Sequence, residues 1–103
     1  MALVGVAYRL FYSGGSWNST GYGIGHATCA SPAGPCLRTS EAPVLSGLGR
    51  ASGTGGAEAL WVGDRLHLAF HGWTGADVGY PNRRKLHLRP VEYDPSGRPV
   101  VVP

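Results

Sequence analysis

Lysine is almost missing from this chain: Lys85 is the only one among 9 basic residues, and the formal charge is just +3. A surplus that small, carried by arginines scattered from Arg9 to Arg98, is not the footprint of a nucleic-acid binder, and no RNA- or DNA-binding motif accompanies it. The run Arg83-Arg84-Lys85 reads as a solvated basic turn. Long apolar runs are missing too. None approaches the ~20 residues that cross a bilayer as a helix. The start, MALVGVAYRL, has neither a basic n-region nor a small-residue cleavage site, so it does not read as a signal peptide. Helical periodicity is absent, Ala57 to Val62 being the nearest approach and too short to stand alone. Cysteine is confined to Cys29 and Cys36, either side of ASPAGP. In an oxidising setting they are expected to pair, stabilising by roughly 2–2.5 kcal/mol on the chain-entropy argument; in a reducing one they stay free thiols. A zinc site is disfavoured, because no second ligand pair falls at zinc spacing.

What is present in excess is glycine and proline, 17 and 8 of 103 residues, in a chain that is still 43% apolar. That apolar fraction argues for a packed core, and the excess argues for many tight turns between short strands. Strand signals run through Ala7-Tyr-Arg-Leu-Phe-Tyr-Ser13, Tyr22-Gly-Ile-Gly-His-Ala-Thr-Cys29, Glu58-Ala-Leu-Trp-Val62, Arg65-Leu-His-Leu-Ala-Phe-His71, Lys85-Leu-His-Leu-Arg89, Val91-Glu-Tyr93 and Pro99-Val-Val-Val102. Gly63-Asp64 is a two-residue hairpin turn. Asp94-Pro-Ser-Gly97 is a turn in which Pro sets φ and Gly tolerates a positive one. The expected class is all-β, of sandwich, barrel or propeller type. One domain spans 1–103, with a pair of strands over 7–36, a connecting loop over 37–57 and a four-stranded group over 58–103.

An ordered set of motifs resembles the family 43 glycoside hydrolases: Leu10-Phe-Tyr-Ser-Gly-Gly-Ser-Trp17, Tyr22-Gly-Ile-Gly-His-Ala-Thr-Cys29, Ser31-Pro-Ala-Gly-Pro-Cys36, Gly53-Thr-Gly-Gly56, Leu68-Ala-Phe-His-Gly-Trp73, Arg84-Lys-Leu-His-Leu-Arg-Pro-Val91 and Asp94-Pro-Ser-Gly-Arg-Pro99. Each is weak alone, but together they cover the chain from about Tyr8 onward. The resemblance implies an extracellular five-bladed β-propeller acting on plant cell-wall polysaccharides that contain arabinose or xylose. It implies that this chain matches the C-terminal part of such an enzyme, a partial β-propeller of about one and a half to two four-stranded antiparallel blades. Residues 7–36 would be outer strands of one blade and 58–103 the last blade. A fragment of a ring would expose strand edges and blade faces, so self-association is expected.

Inverting hydrolysis of a glycoside needs two carboxyl groups roughly 6.5–9.5 Å apart, one protonated and one ionised. In the family these are an aspartate base and a glutamate acid, with a second aspartate tuning the acid, and the resemblance puts all three upstream of Met1. The acids present do not replace them. Asp64 and Asp94 fall in turns, Asp77 in a Gly-rich loop, Glu41 beside a proline, and Glu92 in a strand near a turn. Glu58 follows Gly53–Gly56 at the mouth of a strand, where it could be functional or simply exposed. The chain alone is therefore expected to be inactive, and no catalytic residue is assigned.

Trp17 and Trp73 fall in loops after strands, where their rings could stack on sugar faces and bind substrate, with packing between blades as the rival use of both indoles. The resemblance further implies a substrate-binding role for Arg84. It matches His71 to an axial histidine of the propeller, where many members hold calcium or water. Alternation along the strand puts Leu66, Leu68 and Phe70 on one face and His67, Ala69 and His71 on the other, so His71 lies outside the apolar row. A lone imidazole is a poor calcium ligand, since calcium prefers oxygen. His26, His67 and His87 match no role and default to surface or hydrogen-bonded core positions. The alternative from another class is a carbohydrate-binding or structural β-module without catalysis.

Overall fold

The computed structural model describes residues 1–39, 41–75 and 77–103. Among these residues nine strands follow in chain order: β1 Ala2–Val4, β2 Ala7–Gly14, β3 Gly23–Cys29, β4 Cys36–Arg38, β5 Gly47–Leu48, β6 Ala51–Val62, β7 Arg65–Thr74, β8 Arg84–Tyr93 and β9 Pro99–Val101. No helix occurs among the described residues. The strands make two antiparallel meanders, ordered β1-β2-β3-β4 and β5-β6-β7-β8-β9.

Turn chemistry fixes the hairpins. Val62 pairs with Arg65 across Gly63-Asp64, and Gly63 takes φ +62°, which costs a residue without Cβ little. After β8, the Asp94 carboxylate accepts from the Ser96 and Arg98 backbone N–H groups, both at 2.9 Å, and from the Ser96 hydroxyl at 2.6 Å. Those bonds, with Gly97 at φ +84°, reverse the chain into β9.

The alternation expected in β7 is observed. Leu66, Leu68 and Phe70 are buried, while His67, Ala69 and His71 are only partly covered. The buried row packs with Phe11 and Ile24 of the first sheet and with Val91 and Val101 of the second. Facing sheets thus bury one continuous core, the largest favourable contribution available to a chain of this size.

The segment 37–57 is not the connecting loop that composition suggested. β4 runs on to Arg38, β5 occupies Gly47–Leu48, and β6 starts at Ala51. The span 7–36 does hold the expected pair, β2 and β3, but the first sheet also gains β1 before it and β4 at its end, and the second sheet begins before residue 58. Propensity hid these because Ser52-Gly-Thr-Gly-Gly56 has few strand-forming residues. Tertiary pairing overrides it: β6 follows β7 through two register shifts, between Ser52 and Gly55 and between Gly55 and Glu58. Thr54, fully buried, anchors the bulged region by donating to the Leu45 carbonyl at 3.1 Å.

β8 also runs through Pro90, where two strands were expected. Its first part pairs with β7 as far as His67↔Pro90, and its last part pairs with β9 from Val91. Pro90 stands where one partner ends and the other begins, so its missing N–H leaves no gap in the ladders. Cys29 and Cys36 face each other in the β3–β4 pair and are disulfide-bonded.

Candidate functional site

Four of the residues singled out from sequence meet at one cleft. β7 brings His71 and Trp73, the start of β8 brings Arg84, and the β2–β3 connection brings Trp17. The cleft is open, about 640 Å³, and is also lined by Tyr80, Asn82, Arg83 and Leu86.

Arg84 is its centre. The guanidinium lies 5.4 Å from the Trp17 ring and 5.5 Å from the Trp73 ring, within cation–π range of both. The two indole planes are inclined by 29° with centroids 6.5 Å apart, and Trp73 Nε1 donates to the Trp17 carbonyl at 3.2 Å. Trp73 is 3% exposed and Trp17 is 52% exposed. Trp73 therefore supports the arrangement from beneath, and Trp17 is the indole with a ring surface open to a ligand. The basic run is not a uniform solvated turn, because strand geometry separates neighbours: Arg84 enters this cleft and Lys85 faces away from it.

His71 makes a long contact, 3.5 Å, from its Nε2 to Arg84 Nη1. A guanidinium can only donate, so Nε2 accepts and the ring proton sits on Nδ1. That atom is buried and has no hydrogen-bond partner among the described residues. Burial, and secondarily the Arg84 charge, push the His71 pKa below its ordinary value, so the ring is neutral at pH 7.

The glycine run of β6 shapes this corner. Tyr22, which sequence reasoning used only as a strand start, lies 6.1 Å from the His71 ring and nearly parallel to it. A Cβ on Gly55 would collide with the Tyr22 ring, and one on Gly56 would come within 2.6 Å of His71 Nε2. Gly56 also adopts φ +63°, and its N–H donates to Ser13 Oγ at 2.8 Å. The run thus lets Tyr22 and His71 lie against bare backbone. The repeated glycines were the available signal, but they do not name the rings that fill the space.

Among the described residues no aspartate or glutamate lines the cleft. Glu58 is exposed and faces the Met1 amine at 3.6 Å. Glu41 pairs with Arg38 and Glu92 with Arg65, both on the surface. The calcium that the resemblance attaches to His71 does not fit the residues present. The imidazole points at a cation, and among the described residues no three His, Cys, Asp or Glu side chains gather as metal ligands. The Cys29–Cys36 disulfide contributes nothing to this cleft.

The other notable histidine is His26, 1% exposed. Its Nδ1 lies 2.5 Å from Thr39 Oγ1 and its Nε2 3.3 Å from the Tyr93 hydroxyl. Burial, with a smaller contribution from the Arg9 charge, lowers its pKa to about 4. Of the two default expectations, surface or hydrogen-bonded core, His26 takes the core position, and it joins β3 to β8 across the two sheets.

Neither a protein-family model nor a curated protein sequence matches the chain. Two crystal structures resemble it closely in shape. An endo-1,4-beta-xylanase from Bacteroides thetaiotaomicron VPI-5482 superposes with TM-score 0.80 at 26% identity, over 99% of this chain and 35% of that protein. A thermostable family-43 glycoside hydrolase superposes with TM-score 0.82 at 25% identity, over 97% of this chain and 33% of that protein. The chain thus spans about a third of the length of either structure, at 35% and 33%. Its fold is all-β, a partial propeller of two blade-like sheets, and it is similar to a family-43 glycoside hydrolase.

Proposed function

We propose that this chain forms the aromatic and arginine wall of a sugar-binding cleft in a family-43-like glycoside hydrolase, as its C-terminal part. The substrates are arabinose- or xylose-containing plant polysaccharides, and the setting of the whole enzyme is extracellular. The observation that carries the reading is the Arg84 guanidinium held against Trp17 and Trp73 beside His71. A fixed cation rich in donors suits sugar hydroxyls, and the exposed Trp17 ring suits the apolar face of a pyranose or furanose.

The same cleft explains why this chain alone should not cleave glycosides. Hydrolysis needs one carboxyl group to protonate the leaving oxygen and another to activate water. No acid stands on the described cleft wall, so on this reading both belong to the part of such an enzyme that this chain does not span. What these residues can do is hold the sugar, keep a neutral imidazole beside it, and present fixed positive charge. Exposed Leu60, Val62, Leu86 and Leu88 are expected to make the chain self-associate when purified alone, which sedimentation would detect.

Calorimetric titration of arabino- and xylo-oligosaccharides tests the reading. Saturable binding that Trp17→Ala and Arg84→Ala both weaken supports the cleft; binding untouched by either substitution rejects it. Glycosidase activity in the purified chain would overturn the need for outside carboxylates. The second reading, a binding module complete in itself, is favoured by micromolar affinity in the chain alone.

A further inference from the structure

We propose that a second groove, on the opposite face of β8, binds the carboxylate of an acidic saccharide unit, a uronic acid borne on the polysaccharide. The proposal rests on the sugar-binding reading above for the kind of chain that delivers the acid. The groove, about 430 Å³, is lined by Arg50 from the β5–β6 turn and by Lys85, His87 and Arg89 from β8, with Leu48 and Trp73 among its apolar walls.

Strand geometry makes this cluster. Lys85, His87 and Arg89 alternate with Arg84, Leu86 and Leu88, so they share the face opposite the first cleft. Neighbours on that row stand about 7 Å apart, and Arg50 joins them from another element. His87 is held in place by stacking on Phe70, with ring centroids 5.3 Å apart. Among the described residues no aspartate or glutamate side chain lines the groove, although Pro103, the last residue, stands at its wall. Several cations elsewhere have partners: Arg38 pairs with Glu41 and Arg65 with Glu92, Arg9 donates to Thr28, and Arg84 lies within cation–π range of two indoles. In the groove, Arg89 donates only to the Leu88 carbonyl, and among the described residues neither Arg50 nor Lys85 forms an ion pair. Gathering Arg50, Lys85 and Arg89 with no acidic side chain among them is unfavourable, and a carboxylate accepting from Arg and Lys donors reverses that. The apolar walls suit a sugar ring better than a bare inorganic ion.

Trp73 lines both clefts, so the two grooves meet at one indole. A neutral backbone unit on Trp17 and Arg84 and an acidic branch across the strand would then be read together.

The test is calorimetric titration with a xylo-oligosaccharide carrying one glucuronate branch, a neutral one of the same backbone length, free glucuronate and inorganic phosphate. The branched acid is expected to bind roughly tenfold tighter than the neutral chain. A Lys85→Gln/Arg89→Gln double variant should abolish that preference and leave neutral binding unchanged; Arg84→Ala should weaken neutral binding and keep the preference. An unchanged melting temperature verifies that the double variant folds. Equal binding of acidic and neutral sugars overturns the proposal while leaving the first cleft standing. Equal binding of phosphate and the branched acid also overturns it, by reducing the groove to a general anion site. If neutral sugar does not bind but the acidic one does, and Lys85→Gln/Arg89→Gln removes it, the sugar-cleft reading fails and this one survives.

Discussion

Two histidines in this chain have pKa values lowered by the same causes, burial first and an arginine second, yet they sit in opposite kinds of place. His26 lies between the sheets with both ring nitrogens engaged, on Thr39 and Tyr93, and Phe11 packs edge-on 4.9 Å away. His71 lies at the rim of an open cleft, one nitrogen turned to Arg84 and the other unpartnered. The first arrangement is complete without a ligand. The second leaves a donor unsatisfied, a cost that folded proteins tend to tolerate only where a site requires it. The difference teaches that a shifted pKa alone does not mark function; the state of the hydrogen bonds separates the structural ring from the cleft ring.

Removing each ring should break the comparison most sharply. His26→Ala would leave a cavity between the sheets and strip a buried partner from both Thr39 and Tyr93, so a loss of about 3–5 kcal/mol is expected. Against a typical total of roughly 5–15 kcal/mol, that brings the chain close to unfolding. His71→Ala, at a partly open position with one long contact, should cost less than about 1.5 kcal/mol. Urea melts of the two variants check the ordering, and equal losses would show that His71 is as structural as His26.

Acid should reach nearly as far through His26 alone. Its folded pKa, about 4, lies below the value of about 6.5 in an unfolded chain. Between those limits the unfolded state binds the extra proton, so acid favours unfolding. Stability is full above about pH 6.5, falls as pH drops toward 4, and loses nothing more from this group below that. The loss is up to about 3 kcal/mol. Asp94, held below its usual range by the Ser96 hydroxyl and the Arg98 N–H, adds a loss of the same sign only below pH 3.8. The window from 6.5 to 4 therefore reports mainly on His26. A His71→Gln variant should keep most of that slope, whereas loss of most of it would move the acid response to the cleft.

The sequence carried this contrast only in part. Alternation in Arg65–His71 put His71 outside the apolar row, and the Gly63-Asp64 and Asp94–Gly97 turns fixed two hairpins, because both signals are local. The start of β6 was invisible, since Ser52–Gly56 becomes a strand only by pairing with β7 and packing under Tyr22 and His71. His26 gave no local hint either: its partners Thr39 and Tyr93 come from elsewhere in the chain, the latter from the other sheet. Resemblance to a family gave His71 and Arg84 their roles and loop position suggested Trp17 and Trp73, but that the four meet at one cleft was not legible in the sequence, since three separate segments bring them together. Spacing alone assigned a face to His71 and left the basic run as a turn.

The glycines under the cleft give the next largest effect. Gly49 and Gly56 both have positive φ, +60° and +63°, but a Cβ on Gly49 meets nothing within 4 Å while one on Gly56 meets His71. Gly49→Ala should then show the backbone cost alone, about 1 kcal/mol. Gly56→Ala should add an overpacking cost of about 1–3 kcal/mol as His71 is pushed aside. Matching losses in the two variants would mean that the imidazole swings away freely and that the cleft rim is soft. A larger loss at Gly56, with weaker sugar binding, would mean that His71 is held rigidly where it stands.

Arg84 should give the smallest change in stability and the clearest change in binding. Its guanidinium is exposed to the cleft and holds no carboxylate, so Arg84→Ala should lower the unfolding free energy read from urea melts by less than about 1 kcal/mol. Oligosaccharide affinity should fall roughly tenfold or more, the worth of a lost charge-assisted hydrogen bond. Arg84→Lys separates charge from shape. It keeps the positive charge but replaces a planar fork by a compact ammonium that cannot lie flat against two indoles. If flat stacking positions Trp17, the lysine variant should lose affinity nearly as the alanine one does, with a changed near-ultraviolet dichroism of the indoles. If affinity survives in the lysine variant, charge is what the sugar uses. The arginine would then act on the ligand directly, and the aromatic pair would need another reason to stack.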